Sequence, residues 1–300
     1  MDARFHSIFM PPSRSNSRTP SSLADKTCVV TGATSGIGLN TCMQLAAMGA
    51  RLVLIGRDRS RGDAAIALLR SRWPAIRVEL YCADLSMLAD IRRLADALSA
   101  LPRIDLLINN AGAIFSRREE TAEGLERTFA LNHMAYFLLT ELLRQKIMRS
   151  APARIVNVAS DAHRYAKLDW SDLQTRHGYF SWRAYSRTKL YNVLFTRELA
   201  RQLDGTGVTV NCLHPGFVAS RFADNNRGPF GWGFWVVKTL LGASPASGAD
   251  TVIYLASAPE VADMSGGYFV NCMSTLASRT ARDDQAAARL WRETAALAGV

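Results

Sequence analysis

From residue 26 onward, short runs that are apolar almost residue by residue alternate with stretches of helical pattern. "KTCVVTGA", "RLVLIGR", "RVELYCADL", "IDLLINNAG", "ARIVNVAS", "VTVNCLHPG" and a last short "GYFVN" read as strands. Strands without polar alternation belong to a parallel sheet covered on both faces. Between them, "IGLNTCMQLAAMGA" reads as a helix stopped at Gly49, residues 58–72 as a polar helix ending near Pro74, and 87–101 as a third. A long helix carries Tyr185. Strand–helix alternation implies right-handed crossovers and an α/β, doubly wound sheet of about seven strands with helices on both faces. The spacing predicts one domain over 25–300, with sites after strand ends. A further amphipathic helix over 280–298 is expected to close the substrate cleft or a subunit interface.

Several function classes drop out on composition. Residues 1–24 are rich in Ser, Pro and Arg and read as a disordered tail. A presequence shares that composition, but Pro11, Pro12 and Pro20 suit an amphipathic helix poorly. No apolar run reaches the roughly 18 residues a membrane span needs; "FGWGFWVVKTLLGA" is short and interrupted by Lys238. The net charge is +10, yet the arginines are spread along helices, with no basic run and no interleaved aromatics. That disfavours nucleic acid and leaves a solvated basic surface that attracts anions. Cys28, Cys42, Cys82, Cys212 and Cys272 show no CxxC spacing, so they are expected to be reduced, mostly buried thiols in a cytoplasmic setting, and no metal site is expected.

"TGATSGIG" places Gly32, Gly36 and Gly38 between the first strand and the first helix. Glycine there permits a tight turn and close approach of backbone to a pyrophosphate, and the helix N-terminus adds free N–H groups and a positive dipole end. Glycine turns also serve helix–strand packing; this position after a strand favours a dinucleotide site. At the end of the second strand, where an NAD site places an acid, the chain reads Ile55-Gly56-Arg57. An arginine offers a 2′-phosphate a forked, charge-assisted donor set. Arg57 therefore points to NADP(H) over NAD(H), and Asp58 reads as the opening acid of the next helix.

"TGATSGIG", "NNAG" (109–112), Asn132, Ser160, "YSRTK" (185–189) and "HPG" (214–216) stand in the order found in short-chain dehydrogenases/reductases, and the chain resembles that family over roughly 26–272. "RIVNVASDAH", "LYNVLFTRELARQL" and "VTVNCLHPG" resemble its retinol dehydrogenase-like branch. The resemblance implies a single-domain Rossmann-type fold and an oxidoreductase acting on CH–OH donors. It implies cofactor contacts at Ser35, Ile37, Asp84, Leu85, Asn110, Ala111, Gly112, Pro215, Gly216 and Val218, beside the three glycines and Arg57. It also implies a homodimer or homotetramer.

Tyr185 and Lys189 sit at i and i+4, on one helix face. A phenol titrates near pH 10, and lowering it by roughly three pH units takes about 4 kcal/mol of differential stabilisation. A close ammonium plus a nicotinamide cation in a dry cleft could supply it. The resemblance assigns Tyr185 the proton transfer, Lys189 the nicotinamide ribose as well, Ser160 the substrate oxygen, and Asn132 a water linking Lys189 to solvent. Ser160 would otherwise read as a helix cap and the Tyr–Lys pair as a surface contact. Two features depart from the family pattern: the insertion between Ser160 and Tyr185, and Thr188 in place of a small serine. His163 near Ser160 suggests a hydrolase pair, but no GxSxG elbow surrounds the serine.

Residues 217–248, with Phe217, Phe222, Phe230, Trp232, Phe234 and Trp235 among Gly/Pro breaks, read as a substrate lid for a lipophilic or aromatic ketone or aldehyde. The same aromatics would also suit a helix packed on the core, a subunit contact or a membrane surface. Two alternatives to a carbonyl reductase remain: a non-catalytic NADPH-binding sensor, and a nucleotide-sugar dehydratase or epimerase. The first has no need of a proton donor; the second lacks its extra substrate domain here.

Overall fold

A computed structural model of the chain describes residues 22–216 and 245–300. The apolar runs form β1 (Thr27–Thr31), β2 (Arg51–Gly56), β3 (Val78–Cys82), β4 (Leu106–Asn109), β5 (Ala153–Val158), β6 (Val208–His214) and β7 (Tyr268–Val270). β1 and β4 are buried at every residue, whereas β3, which ends the sheet, is only partly covered. That difference follows from having neighbours on both sides and helices on both faces.

The strand order is β3-β2-β1-β4-β5-β6-β7, parallel throughout. An eighth strand, β8 (Met273–Ser274), pairs antiparallel with β7. Among the described residues the sheet therefore has eight strands rather than about seven. β8 is too short to leave a periodicity, and the chain reverses into it through Asn271 and Cys272, both at positive φ.

Helices α1 (Gly36–Ala47), α2 (Arg59–Arg72) and α6 (Pro245–Ser257) cover one face, around Leu45, Leu69 and Val252. Helices α3 (Leu88–Ser99), α4 (Ala135–Arg149), α5 (Ser181–Gln202) and α7 (Asp284–Ala298) cover the other, around Ile91, Leu139, Leu194 and Leu290. α4 is entered through a helical turn Arg127–Phe129 and a π-helical turn Ala130–Met134. The expected polar helix is α2, capped by Asp58, whose carboxylate accepts from Arg61 N at 3.0 Å.

Among the described residues, α7 does not line the cleft at the strand ends. It lies along α5, where Trp291 stacks on Phe195 (5.7 Å between centroids, 18°) and Asp284 pairs with Arg197 at 2.6 Å. Its apolar stripe, expected to close the substrate cleft or a subunit interface, joins the core. Leu23, inside the stretch expected to be a disordered tail, is buried, and its N–H bonds Met48 O at 2.9 Å. Cys28, Cys42 and Cys212 are buried, with burial raising each thiol's pKa. Cys82 departs from the expected burial because β3 is a sheet edge. No described helix is long and apolar enough to cross a membrane.

Candidate active site

The carboxyl ends of β1, β2, β4, β5 and β6 open onto one cleft. Of the residues singled out in the sequence, Gly32, Ser35, Gly36, Ile37, Gly38, Arg57, Asp84, Leu85, Asn110, Ala111, Gly112, Ser160, Tyr185, Lys189, Pro215 and Gly216 line it. Asn132 lies behind its wall. Val218 and the segment 217–244 fall outside the described residues, and 245–248 belong to α6.

The glycine turn is built to be crossed closely. Gly32 and Gly36 have φ of +65° and +55°, a region that favours glycine. A Cβ on Gly38 would sit 2.2 Å from Gly32 O and 2.7 Å from Asn110 Nδ2. Asn110 ties the ends of β1 and β4 together: its Nδ2 donates to Thr31 O at 2.8 Å, and its N–H to Thr31 Oγ1 at 2.8 Å. The N-terminus of α1 has no side-chain cap and opens onto the cleft, so its N–H groups and dipole fit an anionic diphosphate. Beside it, Arg57 is exposed and forms no ion pair among the described residues, while Arg61 and Thr34 line the same corner. Asp58 faces that corner too, but one carboxylate oxygen caps α2. Asp84 keeps one carboxylate oxygen on Ser86, from N at 3.0 Å and Oγ at 2.7 Å.

At the other end, Tyr185 and Lys189 share a face of α5, with the amine 5.5 Å from the phenol ring centroid. Both are buried. Lys189 Nζ donates to Val158 O at 2.9 Å, and a Cβ on Gly112 would lie 3.7 Å from that amine and 3.2 Å from Asn132 Oδ1. A side chain at 112 would press on Asn132 Oδ1 and touch the amine. Ser160 opens a short 3₁₀ turn (Asp161–Tyr165), accepting from Ala162 N at 3.2 Å, and is hydrogen-bonded to Tyr185. It is a cap and a cleft group at once.

The electrostatics differ from the sequence expectation. In the protein by itself, burial pushes the Tyr185 phenol up, opposed by its hydrogen bond with Ser160 rather than by Lys189. The same burial lowers Lys189 to about 7. An amine brought to about 7 is only about half protonated at pH 7, so it pulls the phenol down less than a full ammonium would.

Asn132 sits in the π-helical turn with its side chain held at both ends. Oδ1 accepts from Ala113 N at 2.9 Å; Nδ2 donates to Ala113 O at 2.8 Å and Thr188 Oγ1 at 3.2 Å. Its backbone carbonyl accepts from Asn192 Nδ2 at 2.9 Å. Thr188, the departure from a small serine, supplies the hydroxyl that Asn132 holds.

His163 is not a catalytic partner of Ser160. Its Nδ1 donates to the Ser160 backbone carbonyl at 2.8 Å, and its Nε2 accepts from Ser278 N at 3.0 Å. The ring fastens the 3₁₀ turn to the segment before α7, and burial lowers its pKa.

Phe115, Leu131, Trp182 and His214 also line the cleft. Trp182 lies one helical turn before Tyr185, 5.8 Å ring to ring, so helix periodicity could have found it. Phe115 had no sequence signal. Tyr179 of the insertion holds it, its Oη donating to Phe115 O at 2.9 Å, and Arg127, from the turn before α4, lies 4.7 Å over its ring. The insertion is itself fastened to α5, through Arg187 to Asp172 O (2.9 Å) and Tyr191 Oη to Leu173 O (3.1 Å).

The chain is similar to several known proteins. Residues 26–229 match the family model for short chain dehydrogenase. Dehydrogenase/reductase SDR family member 13 from Bos taurus is 43% identical, covering 93% of this chain and 74% of its own. Retinol dehydrogenase 13 from Homo sapiens is 40% identical, covering 92% and 85%. Among solved structures, an uncharacterized Mycobacterium paratuberculosis protein superposes with a TM-score of 0.76 at 31% identity, covering 94% and 96%. The Pseudomonas aeruginosa RhlG/NADP active-site complex superposes with a TM-score of 0.66 at 28% identity, covering 83% and 95%.

Proposed function

The chain belongs to the short-chain dehydrogenase/reductase family, in its retinol dehydrogenase-like branch, and is thereby an oxidoreductase acting on CH–OH donors; we propose that it uses NADP(H) to interconvert a lipophilic or aromatic ketone or aldehyde and its alcohol. The observation that carries this reading is the meeting of Tyr185, Lys189 and Ser160 in the cleft that also holds the glycine turn. A bound nicotinamide supplies hydride to the carbonyl carbon, or accepts it in the oxidative direction.

The chain's own groups move the proton. Ser160 Oγ accepts from Ala162 N, which leaves its hydroxyl proton for the substrate oxygen. Tyr185 Oη, hydrogen-bonded to Ser160, gives its proton to that same oxygen as charge develops there, or takes the alcohol proton in reverse. The phenol is held protonated by burial, which suits a donor to a nascent alkoxide. The phenolate left behind favours a protonated Lys189, so the two groups titrate as a pair. Lys189, fixed by Val158 O, would also hold the nicotinamide ribose.

Arg57 favours the phosphorylated cofactor. It is an exposed cation on the cleft wall without an acidic partner among the described residues, and one oxygen of the adjoining Asp58 carboxylate is committed to α2. The NADP complex named above is consistent with this. Phe115, Leu131 and Trp182 support an apolar substrate, as do relatives named retinol dehydrogenase. We also propose the homodimer or homotetramer that the family resemblance implies, which light scattering tests.

The pure protein is mixed with NADPH or NADH and a panel of aldehydes, ketones and retinoid- or steroid-like carbonyls, and cofactor absorbance is followed. Turnover in wild type and a loss of about three orders of magnitude in Tyr185→Phe are expected, since a positioned acid contributes roughly 10²–10⁴. Tight NADPH binding without turnover of any carbonyl would favour the sensor instead.

A further inference from the structure

Behind the cleft, a line of buried polar side chains crosses the core from the C-terminal helix to the helix of the active-site lysine. His133, Asn192 and Thr294 are each fully buried, and none lines the cleft. His133 Nε2 lies 3.0 Å from Thr294 Oγ1, and its Nδ1 lies 3.4 Å from Asn192 Oδ1. Asn192 Nδ2 donates to Asn132 O at 2.9 Å. One proton assignment serves all three contacts. An amide oxygen only accepts, so His133 Nδ1 carries the proton; Nε2 of the neutral ring then accepts, and the Thr294 hydroxyl donates to it. Every donor therefore points the same way, from Thr294 through His133 and Asn192 to the Asn132 carbonyl. Such chains reinforce themselves in a low-dielectric core.

The receiving carbonyl lies in the π-helical turn Ala130–Met134, where regular helical pairing is interrupted. Asn132 consequently grips α5 twice. Its side chain holds Thr188 Oγ1 and its carbonyl holds Asn192 Nδ2. Those two residues are four apart on one helix face, and Lys189 lies between them in sequence. The amine is anchored on Val158 O, so a shift of the helix would stretch that contact.

We infer that Asn192 is a positioning residue for Lys189, oriented by the chain Thr294–His133–Asn192, so that the C-terminal helix, which does not touch the cleft, sets the register of the active-site amine. The inference rests on the oxidoreductase reading above for its effect on turnover, but not for its geometry.

The direction of the chain is read in the unmodified protein by long-range ¹H–¹⁵N NMR of the histidine rings, with His163→Gln, His177→Gln and His214→Gln used to assign signals. His133 is expected as the Nδ1–H tautomer at pH 7; an Nε2–H tautomer overturns the inference. Asn192→Leu is expected to weaken NADPH affinity and lower kcat by tenfold or more, with the KM for the carbonyl substrate little changed. Thr294→Val is expected to lower kcat about threefold, and Thr294→Ser to regain most of it. A folded Asn192→Leu protein with parental NADPH affinity and kcat overturns the inference, as does equal loss in both Thr294 variants. Should Asn192→Leu fail to fold, the Thr294 pair and the tautomer decide it. Wild-type protein without turnover refutes the oxidoreductase reading, and the tautomer and NADPH affinity still decide the chain.

Discussion

His133 makes the core acid-sensitive, and by a magnitude that can be worked out. Its ring is fully buried among Phe129, Tyr191 and Phe195, at centroid distances of 5.4, 5.3 and 6.4 Å. Burial lowers its pKa to about 4, opposed by the contact with Asn192. In the unfolded chain the imidazole titrates near 6.5. Between those values the unfolded state binds a proton that the folded state refuses, so stability falls as pH falls through this window. Integrating the linkage for one such site gives a loss of about 2.5 kcal/mol between pH 7 and pH 4.5. His133→Gln keeps a donor and an acceptor at the position but removes the titration. Its stability at pH 7 is expected to be lower, because ring contacts are lost. Its further loss on acidification should be smaller than that of wild type by about 2.5 kcal/mol. Urea unfolding of both proteins at pH 7 and pH 4.5 measures this difference. Other groups also respond: burial lowers His163 and His214, and Asp161 and Asp172 have depressed carboxyl pKa values. They act in both proteins, so only the difference reports His133. Equal acid losses in the two proteins would refute the reasoning.

Arg57→Ala is expected to raise the KM for NADPH roughly tenfold or more while leaving that for NADH nearly unchanged; equal effects in steady-state kinetics would count against a phosphate contact. Gly38→Ala forces a Cβ to within 2.2 Å of a backbone carbonyl. It should destabilise the protein by about 1–3 kcal/mol and abolish measurable cofactor binding, checked by thermal unfolding and fluorescence titration. Because burial brings Lys189 to about 7 in the free protein, kcat/KM for NADPH should fall as pH rises through 7 and the amine loses its charge. Lys189→Arg should lack that limb; a profile identical to wild type would assign the limb elsewhere.

Much of the site was legible because its chemistry is local to strand ends. The glycines of "TGATSGIG", the Tyr–Lys spacing on one helix face and Arg57 after β2 each state their geometry within a few residues, and the cleft brings them together. Asn132 was found by its place in the motif order, but not what holds it. Its partners Ala113, Thr188 and Asn192 lie 19, 56 and 60 residues away. Phe115 was missed because an insertion, whose packing no periodicity reports, helps hold it. The C-terminal helix was recognised as amphipathic, with its partner left open between the substrate cleft and a subunit interface; in the structure its stripe packs on α5, because a hydrophobic stripe specifies that something covers it, not what.

The amino-acid sequence by itself determined the layers, the parallel order of apolar strands, the phosphate-turn glycines and the residue types of the reacting set. These follow from backbone conformation and short-range periodicity, which a linear chain carries in full. Only the tertiary structure decided the protonation balance of Tyr185 and Lys189, the neutral state of His133 and the double grip of Asn132 on α5. Each of these depends on desolvation and on partners brought from distant segments, and both arise only when the core closes.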